Sequence, residues 1–233
     1  MKMVDNTVYQ IYYHKFPLAF RFGSYHALFR PMTIDHLTDH LYDISSLRDQ
    51  TYQRLQSTRL LIKRLIEFGT DSPEGTQVIA HMNRAHEKVI ADNDAYRYVL
   101  CCFFLEPFRW NQRYEKKRIS AEDKQTIINF WNAIGEKMGI KELCSNEAAW
   151  MAFQKSYETQ FLASSENGRR LAKQAIEETP KLAFPFGISY LVRQTLLATM
   201  DRPVRHALKL GSPTIPAALL LPALQPLNKF ARR

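Results

Sequence analysis

The stretch RAHEKVIADNDAYRYVLCCFFLEPFRWNQRY, residues 84 to 114, decides how the chain folds. It sets a histidine in a helical pattern, then an Asp-Asn-Asp turn, then a nearly unbroken apolar run stopped by Glu106-Pro107 and Arg109-Trp110. An aspartate in the turn at 92 to 94 supplies a side-chain acceptor for exposed first-turn amides, so a helix is predicted from about Ala95. Pro107 disfavours the helical conformation at Glu106, and the helix is expected to kink or end there. Glu106, Arg109 and Trp110 then read as a structural corner made of an ion pair and ring stacking. Cys101 and Cys102 lie inside the apolar run and read as small buried hydrophobes. With Cys144 they form no CxxC pattern, which fits a reducing compartment.

Outward from this stretch, helical spacing dominates from about residue 35. A helix from near residue 46 to Phe68 is closed by Gly69, and Asp71, Ser72 and Pro73 mark a loop and a new start. The next helix runs from about Glu74 to Ala91. Ser120 and Asp123 resemble a capping box opening a helix that closes at Gly139, with Ile127, Trp131, Ile134 and Met138 as its apolar stripe. Ser145 is expected to cap a helix with the stripe Trp150, Phe153, Tyr157. Further helices are predicted over 166 to 178 and near 187 to 200. No segment alternates with a strand's period of two. Eight glycines against 14 phenylalanines and 11 tyrosines point the same way. The expected fold is all-α: a single domain over residues 1–233, its core at about 16–200, followed by a proline-rich basic segment at 201–233. At 233 residues, 45% of them apolar, the chain can bury a substantial core.

The net charge of +9 raises a nucleic-acid reading. Acidic residues are mixed among most of the basic ones, so the charge reads as a solvated surface and no nucleic-acid partner is expected. No window approaches a membrane span, and the N-terminus lacks the apolar core of a signal peptide. PTIPAALLLPALQPL, near the C-terminus, carries four prolines and is flanked by basic residues. It reads as a broken segment packed on the domain, with peripheral membrane contact through 202–233 as the alternative. The expected location is cytoplasmic, with any membrane attachment peripheral.

The informative test is which polar residues fall on apolar stripes. On a wheel of 100° per residue, Thr58, Leu61, Leu65 and Phe68 lie within about 40° of Arg54. Gln56, Arg59, Lys63 and Glu67 form the opposite, solvated face. Arg54 and Thr58 thus continue an apolar stripe, and a buried guanidinium needs a counter-charge, either an internal carboxylate or an anionic ligand. On the next helix Gly75, Val78, Met82, Ala85 and Val89 form the core face. His86 lies among them beside Ile79 and Ile90, whereas His81 sits at the edge, exposed. His86 is the only strongly inward histidine that the pattern places. It reads either as a satisfied core side chain or as a metal ligand, since one imidazole suffices for a haem iron. HLTDH at 36 to 40 sets two histidines one turn apart near Asp35 and Asp39, which suits either a metal site or a polar helix entry with capping aspartates. Nucleophile elbows, HExxH, P-loops and dinucleotide fingerprints are absent from the sequence.

Taken in order, these residues resemble the MpaB-type oxygenase family, which includes the rubber oxygenases (latex-clearing proteins). The marks are Arg54 followed by Thr58 in RLQST, the histidine helix NRAHEKV, and the helix NDAYRYVLCCFFLEPFRWNQRY with its Glu-Pro-x-Arg-Trp turn. ISAEDKQTIINFWNAIGEKMGI, KSYETQF and the N-terminal FGSYHALFRPMTI extend the likeness over about residues 16 to 165, and the likeness is stronger to the fungal branch than to the rubber oxygenases. The resemblance implies a helical, globin-reminiscent domain that encloses a b-type haem (haem b) and acts with O₂ on hydrophobic, often isoprenoid, substrates by oxidising or cleaving a C=C bond. It implies His86 as the axial ligand of the iron, with Arg54 and Thr58 in the haem pocket. Ser57 stands where rubber oxygenases carry a lysine, and the anchor that precedes the domain in fungal relatives has no counterpart here. On this reading Arg54 meets a haem propionate or a polarised oxygen species, Thr58 offers a hydroxyl donor, and both have catalytic roles. Two rivals share parts of the pattern: a haem-binding sensor or carrier without turnover, and a haem-free helical interaction protein.

Overall fold

The computed structural model describes residues 7–44, 48–87, 89–183 and 188–224, with 43, 44, 183 and 224 described by backbone only. The fold is all-α, and no strand occurs among the described residues. A short helix α1 (Thr7–Gln10) runs into a π-helical turn (Ile11–Lys15), and α2 (Pro17–Phe29) into a 3₁₀ turn (Arg30–Thr33). Then come α3 (Asp35–Ile44), α4 (Thr51–Phe68), α5 (Pro73–His86), α6 (Asn93–Tyr114), α7 (Ala121–Lys137) and α8 (Glu147–Phe161). The chain continues through α9 (Glu166–Ala183), α10 (Ser189–Thr199), α11 (Arg202–Ala207) and α12 (Ala217–Leu224). The expected starts near 46 and 187 fall at residues outside the described set, as do Lys88 and the end of the basic segment, 225–233.

The caps explain where the helices begin. Ser72, Asp92 and Ser120 accept first-turn amides from Gly75, Ala95 and Asp123 at 2.9, 2.7 and 3.0 Å. For α8 the cap is Asn146, not Ser145. The Asn146 carboxamide reaches the Ala149 amide at 3.0 Å, while the Ser145 carbonyl accepts from Gln125 at 2.8 Å. Gly69 and Gly139 close α4 and α7 with φ of +79° and +78°, a region a Cβ disfavours.

The core is built around α2 and α6. Helix α2 carries no clear stripe because most of its residues are buried, among them Leu18, Phe20, Phe22, Tyr25, His26 and Phe29. It meets α6 where Gly23 faces Pro107: a Cβ on Gly23 would lie 2.3 Å from the Pro107 Cα. The predicted break at Glu106 does not occur, and α6 continues through Pro107 to Tyr114. Proline removes one ladder hydrogen bond, but here the surrounding contacts hold the helix. α2 packs against the proline, Trp110 stacks on Phe22 (centroids 5.6 Å apart, planes at 10°), and Glu106 is anchored by two arginines. The expected corner of ion pair and stacking therefore forms inside the helix rather than at its end.

That anchor belongs to a buried charge cluster. Arg30, 5% exposed, pairs with Glu106 at 2.6 Å, with Glu158 at 2.8 Å, and with Asp201. Arg109 bonds Glu106 and Gln154, Arg113 bonds Asp201, and the Tyr98 hydroxyl donates to Glu158 at 3.0 Å. The cluster ties the end of α2 to α6, α8 and the start of α11. Nearby, Cys101 and Cys102 are free thiols buried in the apolar interior, as expected.

Candidate functional site

The turn at Gly69 to Ser72 brings α5 back against α4, and between this pair and the core lies a cavity of about 280 Å³. Its wall is mostly apolar, with Leu55, Ile62, Leu100, Phe103, Trp131 and Ile134 prominent, and its few polar side chains include Arg54, Ser57, Thr58, His81 and His86. A largely apolar cavity with a few convergent polar groups is the usual form of a small-molecule or cofactor site.

Arg54 and Thr58, one turn apart on α4, are half-buried rather than fully inward. The Arg54 Nη1 donates to the Thr58 Oγ1 at 3.1 Å, and the Thr58 hydroxyl donates back to the Arg54 carbonyl at 3.0 Å. The hydroxyl proton is thus committed to the backbone, so Thr58 positions the guanidinium instead of offering a donor to the cavity. Among the described residues no carboxylate pairs with Arg54. Burial with no compensating charge holds its pKa below the ordinary guanidinium value.

His86 is the last residue of α5, half-buried on the same wall. Its Nδ1 lies 2.7 Å from the Met82 carbonyl, which fixes that nitrogen as the donor and leaves the Nε2 lone pair uncommitted among the described residues. The Tyr96 ring meets the imidazole edge to face, with centroids 6.0 Å apart. A backbone-tied Nδ1 of this kind orients a metal-ligating histidine and sets its tautomer.

Because α5 stops at His86, residues beyond it no longer follow the helical angle, and Ile90, expected inward, is 83% exposed. Ala85, still within α5 and expected on the core face, is exposed although it touches the cavity. His81 is exposed as expected, but it also lines the cavity, which its edge position did not suggest. Arg59 and Lys63, assigned to a solvated face, border a second, smaller cavity. The histidines of HLTDH are tied into the fold. His36 bonds the Tyr157 hydroxyl at 3.0 Å, and the His40 Nε2 accepts the Ile90 amide at 2.9 Å. No group of three or more His, Cys, Asp or Glu side chains suited to sharing a metal occurs among the described residues.

The side chains present are of the types that would hold a b-type haem. Two imidazoles, His81 and His86, line the cavity, the second with its ring fixed through Nδ1; Arg54 has no carboxylate partner among the described residues, and the apolar wall carries three aromatic rings, Tyr96, Phe103 and Trp131.

Residues 14–232 match the family model for the ER-bound oxygenase mpaB/B'/rubber oxygenase catalytic domain, and the chain belongs to that family. It is 24% identical to the ER-bound oxygenase mpaB' of Penicillium brevicompactum over 94% of this chain and 56% of that protein. It is 24% identical to the ER-bound oxygenase mpaB of Penicillium roqueforti (strain FM164) over 81% of this chain and 72% of that protein. The mpaB of Penicillium brevicompactum is 23% identical over 85% of this chain and 57% of its own length. The chain thus spans little more than half of the two Penicillium brevicompactum proteins. No helix among the described residues is long and apolar enough to cross a membrane.

Proposed function

From membership of this oxygenase family we propose that the chain is a haem-dependent oxygenase, using O₂ to oxidise or cleave a C=C bond of a hydrophobic, isoprenoid-like substrate. The observation that carries the reading is the His86 ring. Its Nδ1 is spent on the Met82 carbonyl, and it lines an apolar cavity shared with Arg54; among the described residues its Nε2 is uncommitted and that arginine has no carboxylate partner.

Each residue has a role that its own geometry supports. His86 would ligate the iron through Nε2, with the Met82 carbonyl fixing the ring's tautomer and raising its basicity. Arg54, oriented by the Thr58 oxygen, would pair with a propionate and so gain the counter-charge it lacks among the described residues. Leu55, Ile62 and Phe103 would exclude water and hold an apolar chain against the site. Ser57 contributes a short neutral side chain to this wall, so no ammonium acts from that position. When bound, a b-type haem supplies the redox chemistry that O₂ needs to react with an alkene.

The test is the absorption spectrum of purified, haem-reconstituted protein with and without His86→Ala, together with O₂ uptake on a prenyl alkene. The expected result is a Soret band that is lost or strongly shifted in the variant at unchanged helix content, and uptake that falls at least about 100-fold, in line with loss of an axial protein ligand. Identical bands in both proteins would end the ligand assignment. A normal band without uptake would make the chain a haem carrier or sensor.

A further inference from the structure

The cavity opens to solvent through the seam between α4 and α5, where Ser57, His81 and Ala85 line it and are all exposed. Leu61 and His81 also line a groove of about 740 Å³ along the outside of that seam, so the His81 ring stands at the mouth, between the two spaces. It makes no hydrogen bond or ion pair among the described residues. Helix geometry keeps it from sharing a metal with His86. Five positions apart on α5, the two side chains point about 140° from one another and are offset by ~7.5 Å along the axis. Register instead brings His81 toward the unmatched guanidinium. At about 1.5 Å per residue, Thr58 lies ~16 Å before the turn at Gly69 to Ser72, and His81 lies ~14 Å after it. The Arg54 guanidinium is bent along α4 onto the Thr58 oxygen, and so toward the level of His81. Arg64 and Arg84 face the outer groove without an ion-pair partner among the described residues, and the carboxylate that lines it, Glu74, sits two turns back toward the hairpin turn.

A guanidinium and an imidazole at the mouth, with apolar walls and a second imidazole behind them, suit a flat ligand that is apolar in its body and acidic along one edge. A b-type haem has that shape, with both propionates on the same edge of the ring. We propose that His81 is the second acid-binding residue of the haem site: Arg54 holds one propionate and His81 the other, so the acidic edge faces the α4–α5 mouth. The proposal deepens the haem reading and rests on it. An imidazole carries at least one N–H in either protonation state, so His81 can donate to a carboxylate without being charged. The offset along α5 divides the work, since His86 stands further from the hairpin turn, level with the Arg54 backbone, and is left to the iron. It also accounts for two imidazoles on one helix that line one cavity and yet belong to no shared metal cluster among the described residues.

The test times transfer of haem from the reconstituted full chain to an excess of competing apoprotein, and repeats it with haem dimethyl ester, in which both acids are masked. The wild type should release the diester at least about tenfold faster than haem, the scale of one charge-assisted hydrogen bond. His81→Ala should speed release of haem about tenfold and release of the diester by less than about twofold, because the diester offers the ring no carboxylate. His81→Gln keeps an N–H donor and should fall between the wild type and the alanine variant. An alanine variant that releases both forms faster by the same factor has only loosened the mouth, and one that releases haem at the wild-type rate leaves the ring idle. Either result overturns the proposal, while a Soret band that still depends on His86 leaves the haem reading standing. A wild-type chain that shows no Soret band after reconstitution overturns both, and a band lost in His81→Ala but kept in His86→Ala would make His81 the iron ligand and overturn both assignments.

Discussion

Two arginines in this molecule face opposite circumstances. Arg30 is almost fully buried among Glu106, Glu158 and Asp201, and their charges outweigh its burial, so it holds its proton more firmly than an ordinary guanidinium. Arg54 is half-buried against an apolar cavity, held among the described residues by a threonine one turn away, and burial lowers its pKa. A cation the chain has matched internally is a fold element. A cation the chain leaves unmatched beside a cavity is a binding element, and only something arriving from outside completes it. The same contrast separates His26 from His86. The first sits in the core with its Nε2 against the Leu196 carbonyl at 3.2 Å, and the second, on a cavity wall, keeps its Nε2 free among the described residues.

If the contrast holds, the largest effect on stability comes from the matched arginine. Arg30→Met leaves three carboxylates without their shared cation and should cost about 3–5 kcal/mol, read as a fall in the urea midpoint by circular dichroism. A loss below about 1 kcal/mol would break the distinction between the two regions. Next comes the seam on which that cluster is mounted. Gly23→Ala puts a Cβ into the Pro107 backbone and should cost about 1–3 kcal/mol through forced separation of α2 and α6.

A smaller effect separates the two histidines by pH. Burial depresses the His26 pKa below its ordinary 6.5, even though Glu106 and Asp201 act to raise it. Above 6.5 the ring is neutral in both folded and unfolded chains, so its contribution is fully present. As pH falls from 6.5 toward the depressed value, the unfolded chain takes up a proton that the folded ring refuses, and stability is lost. The urea midpoint should therefore drop between pH 7.5 and pH 5.5, and His26→Gln should shrink that drop. Asp201 adds a second, more acidic step. Burial alone would raise its pKa, but Arg30 and Arg113 bring the carboxyl below its ordinary 3.8, so its share is lost only as pH falls beneath that value.

The amphipathic helices were legible in the sequence because one face of each meets water: α7 with Ile127, Trp131 and Ile134, and α5 with Val78 and Met82. Helix α2 was not legible, because a helix buried on nearly every side carries no stripe to read. The continuation of α6 past Pro107 was also hidden, since local proline rules know nothing of Gly23, which lies 84 positions away in the chain and makes room for the contact. At the site, the angle of Arg54, Thr58 and His86 on their helices could be read, and the structure does place all three on one cavity. What could not be read was the hydrogen-bond direction at Thr58, the end of α5 at His86, or the recess behind Arg59. Each depends on where a neighbouring element stops, which periodicity within one helix does not encode.

The smallest stability effect is the most telling, because it carries the comparison back to Arg54. An unmatched, partly desolvated cation contributes little to holding the fold, and an apolar side chain of similar length recovers the packing of its stem. Arg54→Met should therefore shift unfolding by no more than about 1 kcal/mol in either direction, against the several kcal/mol expected at Arg30. Retention of haem should respond in the opposite order. If the guanidinium pairs with a propionate, its loss should speed haem transfer to a competing apoprotein by about tenfold, the worth of one charge-assisted bond. Arg54→Lys should recover part of that, since a point charge keeps the attraction and loses the fork. A variant at Arg54 that unfolds easily, or that releases haem no faster than the wild type, would mean that this arginine too is matched, by a partner inside the chain, and the line drawn between the two regions would disappear.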